Sequence, residues 1–192
     1  NLVDGIDGLS SGTAIVTLSS ISFLAFNAQM NQIATVSLLY LSILIPFFYL
    51  NLSKNKIFMG DSGSLFIGFG IAWLLIISAQ GELAFFKPVT ALWIYALPLL
   101  DIISVIIIRL KSRKSPFQPD HNHIHNQLML KLEINSRKAL VFILFLSTLF
   151  AFTGVIMEIS NTPEWLMFAL LMAIFLFYTI FIAFQDNKSL TS

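Results

Sequence analysis

Cysteine is absent from the sequence, and charged residues are scarce. None of the 192 residues is cysteine, which excludes disulfide bonds and metal sites built on thiolates. Charged residues make up 11% of the chain, whereas soluble domains carry about 25%. Hydrophobic residues make up 57%, so the composition predicts an integral membrane protein. The net charge of +1 gives no reason to expect a nucleic-acid partner, because the basic residues are spread among short loops.

Six apolar runs divide the sequence. A transmembrane helix needs about 20 residues, and no run shows the period-2 alternation of a barrel strand. Because a chain in lipid must satisfy its own backbone hydrogen bonds, helices are the structure that remains. We therefore expect an all-α fold, a polytopic transmembrane helical bundle in one integral-membrane domain over residues 1–192, with spans near 13–28, 33–50, 64–79, 88–108, 139–157 and 165–184.

The basic residues predict the orientation of these spans. Six crossings place ten of the eleven lysines and arginines on the same side as the start of the chain, and only Lys87 on the other side. Positively charged loops stay in the cytoplasm. We therefore expect cytoplasmic loops at 1–12, 51–63, 109–138 and 185–192, so polar motifs from distant loops meet at one membrane face.

The first polar motif is NLVDGIDGL, at the start of the chain. Asp4 and Asp7 are three residues apart and would share a helix face. Gly5 and Gly8 let backbone approach a ligand closely. Two interpretations are open. Asp7 or Ser10 caps the first helix, or the acids serve a Mg²⁺ site or the ribose of a nucleotide.

The second motif is KIFMGDSGS, which places Asp61 between Gly60 and Ser62 just before the third apolar run. Capping by Asp61, Ser62 or Ser64 is one interpretation. The other is that Asp61 ligates Mg²⁺, which binds one or two carboxylates together with substrate phosphates. The likeness of GDSG to a serine-protease loop carries no weight, because such a protease needs a β-barrel and buried His and Asp partners.

The third motif is the loop RLKSRKSPFQPDHNHIHNQL. Its basic residues suit contact with lipid headgroups. The histidines at positions 121, 123 and 125 alternate, which is poor spacing for one helical face, and no cysteine is present to complete a zinc site. Imidazoles that hydrogen-bond phosphate or transfer a proton are the sharper interpretation.

Asp101 is the only acid inside an apolar run. An ionisable group at membrane depth is costly and usually faces the bundle interior. It could line the proton path of an ion-coupled transporter, or lie in a helix kinked at Pro98 and hydrogen-bond neighbouring helices. A transporter predicts internal repeats, and none relates 13–79 to 88–184. A structural or inactive truncated membrane fragment is the other alternative, and it leaves the three motifs unexplained.

In this order, the three motifs resemble those of the polyprenyl-phosphate N-acetylhexosamine-1-phosphate transferases, the glycosyltransferase family 4 type that includes MraY and WecA. The matching pieces are NLVDGIDGL, FMGDSGS and SPFQPDHNHIH, and the last is closer to the WecA-type loop. The resemblance implies transfer of a sugar 1-phosphate from a UDP-sugar to undecaprenyl phosphate, with release of UMP, as the first membrane step of cell-envelope polysaccharide synthesis such as lipopolysaccharide. The WecA-like loop favours UDP-GlcNAc.

The resemblance also implies Mg²⁺ as cofactor, with Mn²⁺ as an alternative, and an active face on the cytoplasmic side of the inner (plasma) membrane. Family members have ten or eleven transmembrane helices and are often dimers, so a homodimer is possible. Six spans imply that roughly the N-terminal half of that fold is absent here. The absent part would include an acidic Asp-Asp cluster that acts on the lipid phosphate.

The resemblance assigns roles to named residues. The predicted metal ligands are Asp61 and Asn1. The predicted catalytic residues are Asp4, Asp7, Asp61, His123 and His125, with Asp7 near the uracil and the histidines on phosphate. The predicted substrate-binding residues are Asn1, Phe58, Ser62, Arg113, Lys114 and Asn126, with Phe58 stacked on the base. Asn126 stands where WecA-like members carry a second histidine, and an amide keeps hydrogen bonding but carries no charge.

Overall fold

The structure is a computed structural model that describes residues 6–54, 56–111, 129 and 133–189, with backbone alone for Ser104, 107–111 and 180–189. Within these ranges it consists of helices and contains no strand, which confirms the predicted all-α class. The helices are α1 (Leu9–Asn27), α2 (Asn31–Asn51), α3 (Gly60–Ala79), α4 (Pro88–Ile94), α5 (Ala96–Lys111), α6 (Ser136–Ile159) and α7 (Glu164–Ser189).

Helices α1, α2, α3 and α6 are long and apolar enough to cross a membrane. Their apolar residues do not face the core alone. On α3, for example, Phe66, Phe69 and Trp73 are all more than half exposed. A helix with apolar residues on all sides, one side of which is exposed, is typical of a helix that contacts lipid. The protein is therefore a polytopic helical membrane protein, and its number of crossings stays a prediction.

The fourth predicted span, 88–108, is two helices instead of one. Helix α4 ends at Ile94, Tyr95 lies outside both helices, and α5 begins at Ala96. Pro98 explains the interruption, since it has no N–H for the carbonyl of Ile94 and its ring crowds that carbonyl. The kink predicted at Pro98 is thus present as a break. Asp101, in α5, is 8% exposed and has an interaction partner.

Helix α1 lies at the centre of the described bundle, where it packs against α2, α3, α4 and α6. Its Leu18 and Ile21 are fully buried. Its buried threonines satisfy themselves locally: Thr13 and Thr17 donate their hydroxyls to carbonyls one turn earlier, at 2.9 and 3.0 Å. This local bonding lets a polar residue lie in an apolar interior without an unpaired group.

Polar contacts link α4 and α6 at the end of the bundle that is remote from the start of α1. The Glu158 carboxylate accepts hydrogen bonds from the Lys87 N–H, at 3.2 Å, and from the Thr90 hydroxyl. The Lys87 ammonium lies 3.5 Å from the same carboxylate. Since α1 and α2 run antiparallel, this end also holds the turn at 28–30. Among the described connections, the turn between α1 and α2 therefore lies at the end opposite to the connection between α2 and α3.

Candidate active site

Two of the three sequence motifs meet at the end of the bundle where α1 begins and α2 ends. We call residues 6–10, Asn51 and 56–62 the motif junction. The Ser10 hydroxyl oxygen lies 3.8 Å from the sulfur of Met59, although the two residues are 49 positions apart. Ser10 directly follows NLVDGIDGL and Met59 lies in FMGDSGS, so the fold brings the end of the first motif to the second.

Asn51 is the residue that joins the two segments. It is the last residue of α2 and is 7% exposed. Its Oδ1 accepts a hydrogen bond from the Gly8 N–H at 2.6 Å, and its Nδ2 donates to the Ile57 carbonyl at 2.8 Å. A backbone N–H only donates and a carbonyl only accepts, so these partners define the orientation of the amide.

Asp7 forms a salt bridge with Lys56, a second link across the junction. The two side chains are 34% and 44% exposed. An ion pair this exposed to solvent contributes at most about 1 kcal/mol to stability. Its main effect is therefore on placement, because it holds the Asp7 carboxylate against the segment that carries the second motif.

The capping interpretation is wrong for both motifs. The N-cap position of α1 is Gly8, at φ +81°, and that of α3 is Met59; neither helix start has a side-chain cap. Glycine at the cap position has no side chain to offer, and the Asp7 carboxylate is drawn to the Lys56 ammonium instead. In α3 the Ser64 hydroxyl donates to a backbone carbonyl at 3.1 Å and caps nothing.

The second motif presents its polar and aromatic side chains outward. Gly60, at φ +65° with open space around it, makes the turn into α3. Asp61 follows in the first helical turn, and both it and Ser62 are exposed. The Phe58 ring is 73% exposed. The helix dipole favours the negative charge of Asp61 in the first turn. Among the described residues, none forms a salt bridge with Asp61.

The other predicted site residues lie outside the described residues. They are Asn1, Asp4, Arg113, Lys114, His123, His125 and Asn126. Their assigned roles stay predictions.

The described acids are too few to form a metal site made of protein ligands alone. They are compatible with a metal ion that binds to protein and substrate together. Among the described residues no three His, Asp or Glu side chains group together as a metal site. Mg²⁺ keeps several waters and binds through one or two carboxylates plus phosphates. Asp61, exposed at the junction, suits that mode, whereas Asp7 is engaged by Lys56.

Reasoning from sequence missed both residues that hold the junction together. Asn51 ends the run FFYLN, and an amide at a helix end is ordinarily a cap or a turn residue. In the sequence, Lys56 is one of the ten basic residues that predict the orientation, and nothing there indicates a partner for it. The single available signal was their position, a few residues before FMGDSGS.

The comparisons with known proteins agree with the motifs. Residues 1–79 match the sequence model of glycosyl transferase family 4. A curated relative from Yersinia pestis is 40% identical over 183 residues, which is 93% of this chain and 50% of the relative. Its counterpart from Escherichia coli K12 is 38% identical over the same shares. One from Pasteurella multocida is 41% identical over 172 residues, 84% of this chain and 48% of the relative.

All three relatives are named undecaprenyl-phosphate alpha-N-acetylglucosaminyl 1-phosphate transferase. The chain spans about half the length of these relatives. No solved structure matches it. The resemblance predicted from the three motifs is therefore confirmed: the chain is similar to glycosyl transferase family 4 over residues 1–79, and to these named transferases over most of its own length.

Proposed function

We propose that the protein transfers N-acetylglucosamine 1-phosphate from UDP-GlcNAc to undecaprenyl phosphate and releases UMP. The observation that carries the proposal is the motif junction, which collects an acid, an exposed aromatic ring and a second acid at one end of a membrane bundle. The names of relatives about 40% identical to the chain support the same chemistry. A water-soluble nucleotide and a lipid acceptor have to meet at such a surface.

The first motif and Phe58 would bind the nucleotide. The Phe58 ring is exposed and supplies a face on which a uracil base can stack. The Asp7 carboxylate, held by Lys56 at the same junction, would accept hydrogen bonds from the base. Asp4 would line the ribose or sugar side of the pocket, and Ser62 is exposed beside Asp61 to contact substrate.

Asp61, with Asn1 as a second ligand, would hold the divalent metal ion, which we take to be Mg²⁺, with Mn²⁺ as a substitute. When bound, that ion lowers the negative charge on the pyrophosphate of the UDP-sugar. The protein's part is to fix Asp61 at the end of α3, where the helix dipole also favours negative groups.

In the reaction, an oxygen of the lipid phosphate attacks the phosphorus that carries the sugar. A new phosphorus–oxygen bond forms to the lipid, and the bond to the bridging oxygen of the pyrophosphate breaks. The electron pair of that bond leaves with UMP. Because donor and acceptor are both anions, positive groups have to bring them together. His123, His125, Arg113 and Lys114 would supply that charge, with Asn126 as a neutral hydrogen-bonding group.

The polyprenyl chain would lie along the apolar faces of the helices, which are exposed over much of α2 and α3. With the positively charged loops inside, the motif junction would face the cytoplasm, on the inner (plasma) membrane of the cell. A homodimer would be compatible with this arrangement, since large apolar faces remain free for another subunit or for lipid.

The transporter alternative depends on Asp101. That residue is buried in α5, beyond a helix break of the kind that transporters use. Asp101 already has an interaction partner in the structure, and the described acids of the motifs, Asp7 and Asp61, lie at helix ends instead of at mid-depth. A transferase uses these end-placed acids, and a transporter does not.

The function is tested by UMP release from membranes that contain the intact protein, given UDP-GlcNAc and Mg²⁺, with and without undecaprenyl phosphate. We expect release that requires both the lipid and the metal ion. Release with another UDP-sugar alone would keep the reaction and correct the sugar. No release with any UDP-sugar would refute the proposal and favour a structural role.

The assignment of Asp61 is tested by Asp61→Asn. The amide keeps the size of the side chain but loses the charge that binds a divalent ion, so we expect UMP release to fall more than about tenfold, equivalent to about 1.4 kcal/mol. Glu82→Gln, the same change at an exposed acid on the opposite end, is the matched control and should leave release unchanged. Activity above about a tenth in Asp61→Asn would remove Asp61 from the metal site.

A further inference from the structure

We infer that Asn51 is a positioning residue that sets the spacing between the two halves of the nucleotide site. It is neither charged nor exposed, and it belongs to no motif that the sequence singled out. Its carboxamide nevertheless uses both of its ends on motif backbone, at 2.6 Å to Gly8 and 2.8 Å to Ile57.

The two backbone groups that Asn51 binds are each one residue from a predicted nucleotide contact. Gly8 directly follows Asp7, and Ile57 directly precedes Phe58. A backbone atom fixed one residue away leaves few positions for the side chain beside it. Asn51 therefore fixes the separation of the two backbone segments from which the Asp7 carboxylate and the Phe58 ring project.

The structure gives Asn51 this role because other links at the junction are weaker. The Lys56–Asp7 pair is partly exposed and open to screening by salt. The contact of Ser10 with the Met59 sulfur is a weak hydrogen bond at 3.8 Å. Asn51, 7% exposed, makes short bonds away from water, where loss of a partner is most costly.

Asn51→Leu and Asn51→Asp separate the two bonds. Leucine has nearly the same shape and makes neither bond. Aspartate keeps an acceptor for the Gly8 N–H but brings a carboxylate oxygen against the Ile57 carbonyl, so it loses that bond. Ser37→Ala is the matched control, because Ser37 is a fully buried polar residue of the same helix whose hydroxyl has no partner among the described residues.

The first measurement needs no substrate. This chain contributes no cysteine, so Ser10→Cys with Met59→Cys reports the separation of the two segments through the rate of reaction with a short bifunctional thiol reagent. We expect both Asn51 variants to slow cross-linking by about fivefold or more, the effect of losing one hydrogen bond, and Ser37→Ala to leave it unchanged. An unchanged rate in folded Asn51→Asp overturns the inference, even if Asn51→Leu fails to fold.

The second measurement rests on the proposed function. In UMP release, Asn51→Asp should raise KM for UDP-GlcNAc by about fivefold to tenfold and leave KM for undecaprenyl phosphate nearly unchanged. A general loss of fold would instead lower the active fraction and change neither KM. Equal effects on both substrates would contradict the positioning role. If the unsubstituted protein releases no UMP while cross-linking depends on Asn51, the proposed function fails and the positioning inference stands.

Discussion

At the scale of single residues, the motif junction shows what a local sequence pattern leaves undetermined. An acid or serine just before an apolar run ordinarily predicts an N-cap, and here the helix starts are occupied by Gly8 and Met59 instead. The acid is used across the junction, by a lysine 49 positions away. No local rule contains that pairing, because it depends on how α1, α2 and α3 pack.

Lys56→Met tests the role of this ion pair. We expect the loss in stability to stay below about 1 kcal/mol, because the pair is partly exposed. We also expect KM for UDP-GlcNAc to rise about twofold to fivefold, since the Asp7 carboxylate is no longer held in place. Thermal unfolding and the kinetics of UMP release are the measurements.

Lys54→Met is the control for that experiment. Lys54 lies two residues away in the same loop, is exposed, and forms no salt bridge with a described residue. If both variants raise KM equally, the loop acts through its overall positive charge, and the Lys56–Asp7 pair has no special part.

At the scale of helices, the sequence predicted the elements well wherever hydropathy alone decides. The apolar runs over 33–50, 64–79 and 139–157 lie within observed helices, and the run over 13–28 extends one residue past the end of α1 at Asn27. A long apolar segment has no other way to satisfy its backbone hydrogen bonds in a membrane. The division of 88–108 at Tyr95 was predictable only as a kink, since Pro46 lies inside α2 without interrupting it. Proline frees a carbonyl, but packing decides whether the helix continues.

Glycine contacts between helices carry part of that packing. A methyl group added at Gly154 of α6 would lie 2.5 Å from the Trp93 Cβ of α4. We therefore expect Gly154→Ala to push α4 and α6 apart and to cost about 1–3 kcal/mol of stability. The hydrogen bond from the Trp93 indole to the Met167 carbonyl, now 3.1 Å, should weaken as well. Thermal unfolding followed by tryptophan fluorescence measures both effects.

Gly68→Ala is the matched substitution. Gly68 lies inside α3, and an added methyl group there meets nothing within 4 Å. Alanine favours a helix over glycine by about 1 kcal/mol, so this change should leave stability unchanged or raise it. Destabilisation of the same size in both variants would mean that backbone propensity, and not the contact with Trp93, explains the effect at Gly154.

At the scale of the whole molecule, function follows from which ends of the helices share a membrane face. The motif junction lies at one end, and the Lys87–Glu158 link lies at the other. The distribution of basic residues predicts that the junction end is cytoplasmic. Only that side supplies nucleotide sugars as substrate, so the proposed reaction and the predicted orientation depend on each other.

Single-cysteine labelling in intact cells tests this orientation, because this chain adds no cysteine of its own. Lys54→Cys marks the junction end and Glu82→Cys the opposite end, and both positions are exposed. A thiol reagent that cannot cross the membrane should label Glu82→Cys from outside and label Lys54→Cys only after the membrane is opened. The reverse pattern would place the motif junction outside the cytoplasm, and the use of a UDP-sugar would be contradicted together with the orientation. Labelling of both positions from outside would place both ends of α3, the single helix between these two positions, on the same side of the membrane. That outcome would contradict the prediction that α3 crosses the membrane.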